Sequence, residues 1–118
     1  MGTHAMKMTI EQADDAVVRI TFDGRLDMQG TQEIDQRLAF ATSTKALRLA
    51  VDLSRVTFLA SIGIRALVAT AKAQVARGGR VAIVNPQPMV RNILETAGID
   101  RLIPLYDNFE SASSALRA

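Results

Sequence analysis

The sequence predicts a single α/β domain, with a mixed sheet of about five strands, the usual sheet size, covered by about four helices. Three observations predict it. Apolar residues recur at strand spacing in Val18, Ile20 and Phe22 and again in Leu47, Leu49, Val51 and Leu53. Beyond Ser61 the period lengthens to that of a helix, with Ile64, Leu67, Val68, Ala71 and Val75 forming one stripe. The chain is 118 residues long, one domain's worth, and well above the roughly 40 residues below which a core needs staples.

The elements follow in order. Thr9-Ile10-Glu11-Gln12 starts a strand and Ala13-Asp14-Asp15 is the turn that ends it. Val17 to Phe22 is rich in β-branched residues and pairs with it as an antiparallel hairpin, closed by Asp23-Gly24. Gly30-Thr31 offers a helix start, with Ile34, Leu38 and Ala41 inward and Glu33, Asp35 and Arg37 outward, and Thr42-Ser43-Thr44 stops it. The strand Leu47–Leu53 alternates its apolar residues with Ala46, Arg48, Ala50 and Asp52. The helix after Ser61 ends at Gly78-Gly79, and Val81 to Val84, apolar on both faces, suits a buried central strand. Asn85-Pro86-Gln87-Pro88 is a turn. Val90, Ile93, Leu94 and Ala97 mark a helix stopped by Gly98. Leu102 to Tyr106, interrupted by Pro104, reads as an edge strand, and a last helix runs from about Glu110 to Leu116. Two of the strand–helix–strand connections are long enough for parallel crossovers, which should be right-handed.

Composition narrows the chemistry. With four Phe, one Tyr and no Trp, the core must be aliphatic, and a base-stacking nucleic-acid surface lacks its aromatic faces. The net charge is +2, and the nearest thing to a basic cluster, Arg65, Lys72, Arg77 and Arg80, reads as a solvated helix face rather than a phosphate-binding stripe. There is no Cys, which excludes disulfides, thiolate metal sites and thiol nucleophiles and fits a cytoplasmic setting. No apolar run is long enough to span a membrane or to serve as a signal peptide. Residues 1–7 read as a leader left by cloning, with a natural start at Met6 or Met8, and 8–118 as the domain. The leader holds the single histidine, His4, which is set aside from any chemistry. No metal or cofactor site is expected.

The segment Val51 to Leu67 is the most informative. A buried strand ends at Leu53, a short extended link follows, and Ser61 stands where the helix begins. A serine there can cap the helix through its hydroxyl. Gly63 allows close backbone approach, and the helix start concentrates N–H groups and positive dipole suited to an anion. Ala60-Ser61-Ile62-Gly63, together with Gly24-Arg25-Leu26-Asp27, resembles the STAS domain of bacterial anti-sigma factor antagonists and sulfate transporter tails. In the antagonists the first motif reads roughly Asp-Ser-Ser/Thr-Gly and the second Gly-x-Leu-Asp. The likeness runs from about Met8 to Leu116. Ala60 stands where the family has an acid and Ile62 where it has a second hydroxyl.

The resemblance implies a partner-switching protein. The unmodified domain would bind an anti-sigma factor serine kinase and free a sigma factor, Ser61 would take the kinase's phosphate, and a phosphatase would be a further partner. Asp27, Ala60, Ser61, Ile62, Gly63 and Arg65 are the expected partner-binding residues. ATP and Mg²⁺ would belong to the kinase, so this chain needs no cofactor, contacts no nucleic acid and does not insert into a membrane. The alternative is an accessory domain of a lipid or small-molecule transport complex that is not phosphorylated. An enzyme is disfavoured, because no usable histidine exists to activate Ser61 and a carboxylate such as Asp27 alone is a poor base for serine.

Overall fold

The computed structural model describes residues 6–118. Most of the expected leader, with His4, lies outside the described residues. Of its last two, Met6 packs into the core and Lys7 opens the first strand. The elements are β1 (Lys7–Gln12), β2 (Val18–Leu26), α1 (Met28–Thr42), β3 (Arg48–Leu59), α2 (Ser61–Ala76), β4 (Arg80–Val84), α3 (Pro88–Thr96), a 3₁₀ turn (Ile99–Arg101), β5 (Leu105–Tyr106) and α4 (Phe109–Arg117). The strands lie in the order β1-β2-β3-β4-β5. The β1–β2 hairpin is antiparallel and the other three pairs are parallel. The predicted mixed five-stranded sheet with four helices is present, with one parallel crossover more than expected.

Period-two alternation assigns the two faces. Ile20, Phe22, Leu49, Val51, Leu53, Val81 and Ile83 point to the larger core, where Ile34 and Leu38 of α1, Leu67 and Ala71 of α2, and Val90 and Leu94 of α3 cover them. Val17, Ala50, Ala82 and Val84 point the other way and meet Ala112 and Leu116 of α4. Both faces of β3 are therefore buried, Ala50 and Asp52 included. Asp52 pairs with Arg19, whose guanidinium lies 4.7 Å from the Phe109 ring centroid at the start of α4. Burial raises the Asp52 pKa, but hydrogen bonds from Ser54 and Arg19 outweigh it and hold the carboxyl below its ordinary value.

Several expectations need correction. The second strand does not close at Asp23-Gly24: β2 runs on to Leu26, with register shifts between Thr21 and Asp23 and between Gly24 and Arg25. Likewise β3 does not end at Leu53 but reaches Leu59. The last β3–β4 pair is Asp52–Val84, so beyond it β2 and β3 continue as a two-stranded projection. Their mutual hydrogen bonds satisfy the backbone there, so the polar residues that resemble a turn do not break the strands. The first helix starts at Met28, two residues before Gly30, because Asp27 caps it. The last strand shrinks to two residues, since the Leu102 and Ile103 N–H groups both donate to the Ile99 carbonyl and are drawn into the 3₁₀ turn that precedes it.

On α2 the inward stripe shifts by one residue. At about 100° per residue, Gln74 points within about 20° of Leu67, while Val75 is about 80° off. Gln74 is accordingly fully buried and Val75 is 69% exposed. The Gln74 amide donates to the carbonyls of Thr42 (2.5 Å) and Lys45 (3.1 Å) and accepts from Leu47 N–H (2.7 Å), tying the loop between α1 and β3 to α2.

Candidate functional site

The tip of the β2–β3 projection delivers two helix starts side by side. Leu26 pairs with Leu59, and the Ala60 N–H donates to the Leu26 carbonyl at 2.9 Å. The next residues on each strand, Asp27 and Ala60, are the N-cap residues of α1 and α2. Parallel neighbours must send their helices off the same end of the sheet, so the topology itself creates the pair.

The two caps differ. The Asp27 carboxylate accepts from Gly30 N–H at 2.8 Å and from Arg25 Nε at 3.3 Å, and this, the amide bond foremost, holds its pKa below the ordinary carboxylate range. Ala60 has no side chain to cap with, and the first turn of α2 contains no acidic residue. Ser61 is not the N-cap, as the sequence suggested; it is the first helical residue, and its side chain is exposed. The extended link expected before the helix is the end of β3 itself, which moves the cap to Ala60. The amides opening α2 thus have no side-chain acceptor, an arrangement that favours an anion.

Close packing fixes the geometry. A Cβ on Gly63 would lie 2.8 Å from both the Leu26 carbonyl oxygen and Leu59 Cδ1, and one on Gly30 would lie 1.9 Å from the Arg25 carbonyl oxygen. Only glycine lets α1 and α2 begin so near the strand ends.

Asp27, Ala60, Ser61 and Gly63 therefore meet at the projection's tip. Ile62 and Arg65 lie on the adjoining side, in a cleft of about 230 Å³ between α1 and α2 whose walls include Thr31 and Asp35. Sequence reasoning missed Arg25 and Phe58. The register places them opposite each other, and the Arg25 guanidinium stacks 4.5 Å from the Phe58 centroid while reaching Asp27. Only the strand pairing could have revealed that cluster. Thr31 was missed as well: it is buried, and its Oγ1 has no hydrogen-bond partner.

Among the described residues no group of His, Cys, Asp or Glu could hold a metal ion, and no helix is long and apolar enough to cross a membrane. The family model of the STAS domain matches residues 7–112. The chain is 23% identical over 112 residues to BtrV of Bordetella bronchiseptica, named as a candidate anti-sigma factor antagonist, covering 95% of this chain and 96% of that one. It is 22% identical to the anti-sigma-F factor antagonist RsfB of Mycobacterium tuberculosis, covering 93% and 90%. The crystal structure of an anti-sigma factor antagonist from Mycobacterium paratuberculosis superimposes with a TM-score of 0.87 at 27% identity, covering 97% and 96%.

Proposed function

The chain belongs to the STAS domain family, and from that premise we propose that it is an anti-sigma factor antagonist that works by partner switching. Its unmodified form binds an anti-sigma factor serine kinase and so releases a sigma factor; phosphorylation of Ser61 ends that binding, and a phosphatase restores it. In the modifying step the Ser61 Oγ attacks the γ-phosphorus of ATP held by the kinase, its proton passes to a base on the kinase, and ADP leaves. The domain itself is a binding protein and no enzyme, and its setting is the cytoplasm.

One observation carries the reading: Ser61 is exposed at the opening of a helix whose amides have no side-chain cap. A kinase can reach that hydroxyl. The folded domain tolerates the product, since the phosphate's charge of about −1.5 to −2 lies at the positive end of α2. A partner resting on Ala60, Ser61 and Ile62 does not, because it must desolvate a dianion.

The experiment is a pull-down from the native cell with mass spectrometry of Ser61, followed by titration of the recovered partner. Ser61→Ala keeps affinity and stability, the latter within about 0.5 kcal/mol for an exposed residue away from special features. Ser61→Asp leaves the domain folded and weakens binding at least about tenfold, or 1.4 kcal/mol. Equal affinity for all three proteins refutes the switch.

A further inference from the structure

We infer that Arg65 is the intramolecular counter-ion of a phosphate on Ser61, an inference that rests on the phosphorylation reading above and deepens it. Ser61 and Arg65 stand at i and i+4 on α2, the spacing that stacks two side chains on one helix face. The Cα–Cβ bonds of a helix tilt toward its N-terminus and long side chains follow them, so the turn that carries Ser61 is within the reach of Arg65. Both side chains are exposed.

Arg65 is also free to respond. Arg19, Arg25, Arg55, Arg91 and Arg117 are each held by a carboxylate. Among the described residues Arg65 has neither an ion pair nor a side-chain hydrogen bond, although Asp35 shares its cleft. No acidic side chain stands in the first turn of α2, and Ala60 supplies none where the antagonists carry an acid. A phosphate on Ser61 therefore finds a cation one turn away and no anion on its own turn. The nearest carboxylate described at the tip, Asp27, is already engaged by Gly30 and Arg25.

The pairing has a second effect. Arg65 stands at the cleft between α1 and α2 with Ile62 and with Thr31, whose buried Oγ1 lacks a partner. Drawn toward a phosphate, the guanidinium leaves that cleft. A single modification thus adds charge at Ser61 and removes a cation from the adjoining surface, so the two partner-facing features change together.

The test installs phosphoserine at position 61 during synthesis, so it reads the clamp whether or not any kinase acts on Ser61. Mass spectrometry of the native protein decides that separately. The second ionisation of the phosphate, normally near pH 6, is followed by ³¹P NMR. Arg65→Gln is expected to raise its midpoint by about 0.3 to 0.5 unit at low ionic strength, with Arg65→Lys intermediate and the difference shrinking in about 1 M salt. Lys72→Gln, about 16 Å along the helix axis from Ser61, is the control. A midpoint within 0.1 unit of the unsubstituted phosphoprotein for Arg65→Gln, or an equal shift for Lys72→Gln, overturns the inference.

Discussion

Replacing Gln74 by leucine keeps the side chain's volume and removes its hydrogen bonds. The fully buried amide makes three of them, to Thr42, Lys45 and Leu47. Lys45 is exposed, so its carbonyl recovers a partner in water. The Thr42 carbonyl and the Leu47 N–H sit in the packed seam between α1, α2 and β3 and lose theirs. An orphaned buried group costs about 1–3 kcal/mol, and a leucine regains some apolar burial, so the net loss should be about 2–4 kcal/mol. In urea, with a slope of about 1–3 kcal/mol/M for a small protein, the midpoint should fall by on the order of 1.5 M with the slope unchanged. Gln74→Glu is the diagnostic companion. Its carboxylate can still accept from Leu47 N–H but faces two carbonyl oxygens where the amide donated. Burial raises the pKa of that new acid, so the deficit should narrow as pH falls from 7 to 5 and the protonated form regains a donor. A loss below 0.5 kcal/mol for Gln74→Leu, with no pH dependence in Gln74→Glu, would refute the reasoning.

Gly63→Ala sets two effects against each other. Helix propensity alone predicts a gain of about 1 kcal/mol, whereas the clash with the Leu26 carbonyl and Leu59 predicts a loss of about 1–3 kcal/mol; chemical denaturation should show a net loss, together with altered partner affinity as the start of α2 shifts. Asp14, Asp27 and Asp52 all have pKa values held below the ordinary carboxylate range. The stability they contribute is therefore complete above the unfolded pKa of about 3.9 and is lost as pH falls through their lower folded values. Thermal melts should be nearly flat from pH 7 to 5 and fall steeply below about 4, and Asp52→Asn should melt lower at pH 7 with a shallower acid limb. Leu67→Ala, which truncates a side chain that is 3% exposed on the inner face of α2, should cost about 2–5 kcal/mol; a change under half a kcal/mol would place that face outside the core.

Part of the candidate site is legible in the sequence. Ser61 and Gly63 stand out because a capping-type residue followed by glycine at a change of period is a local signal, carried by neighbours in the chain, whereas Asp27 rests on the likeness of Gly24-Arg25-Leu26-Asp27 to the family's motif. The roles shifted once the backbone was placed. Ser61 became the first helical residue, because β3 continues to Leu59 and leaves Ala60 as the cap. Arg25 and Phe58 could not be paired from the sequence, since they are brought together by strand register across two shifts at which β3 carries the extra residue.

The order of elements and the mixed sheet were determined by the sequence itself, because periods of two and 3.6 residues are written into the spacing of apolar side chains. Which residues face which layer was only half determined. The alternation in β3 cannot tell a solvated face from one that a distant helix covers, and it is α4, arriving at the end of the chain, that buries Ala50 and brings Phe109 against Arg19, the partner of Asp52. The apolar stripe of α2 points to Val75 as its last inward residue, while the packed helix puts Gln74 there, since the carbonyls of Thr42 and Lys45 and the N–H of Leu47 offer an amide what valine cannot use. Local pattern decides what an element is. Long-range packing decides which of its polar atoms are satisfied, and therefore what remains free at its surface to meet a partner.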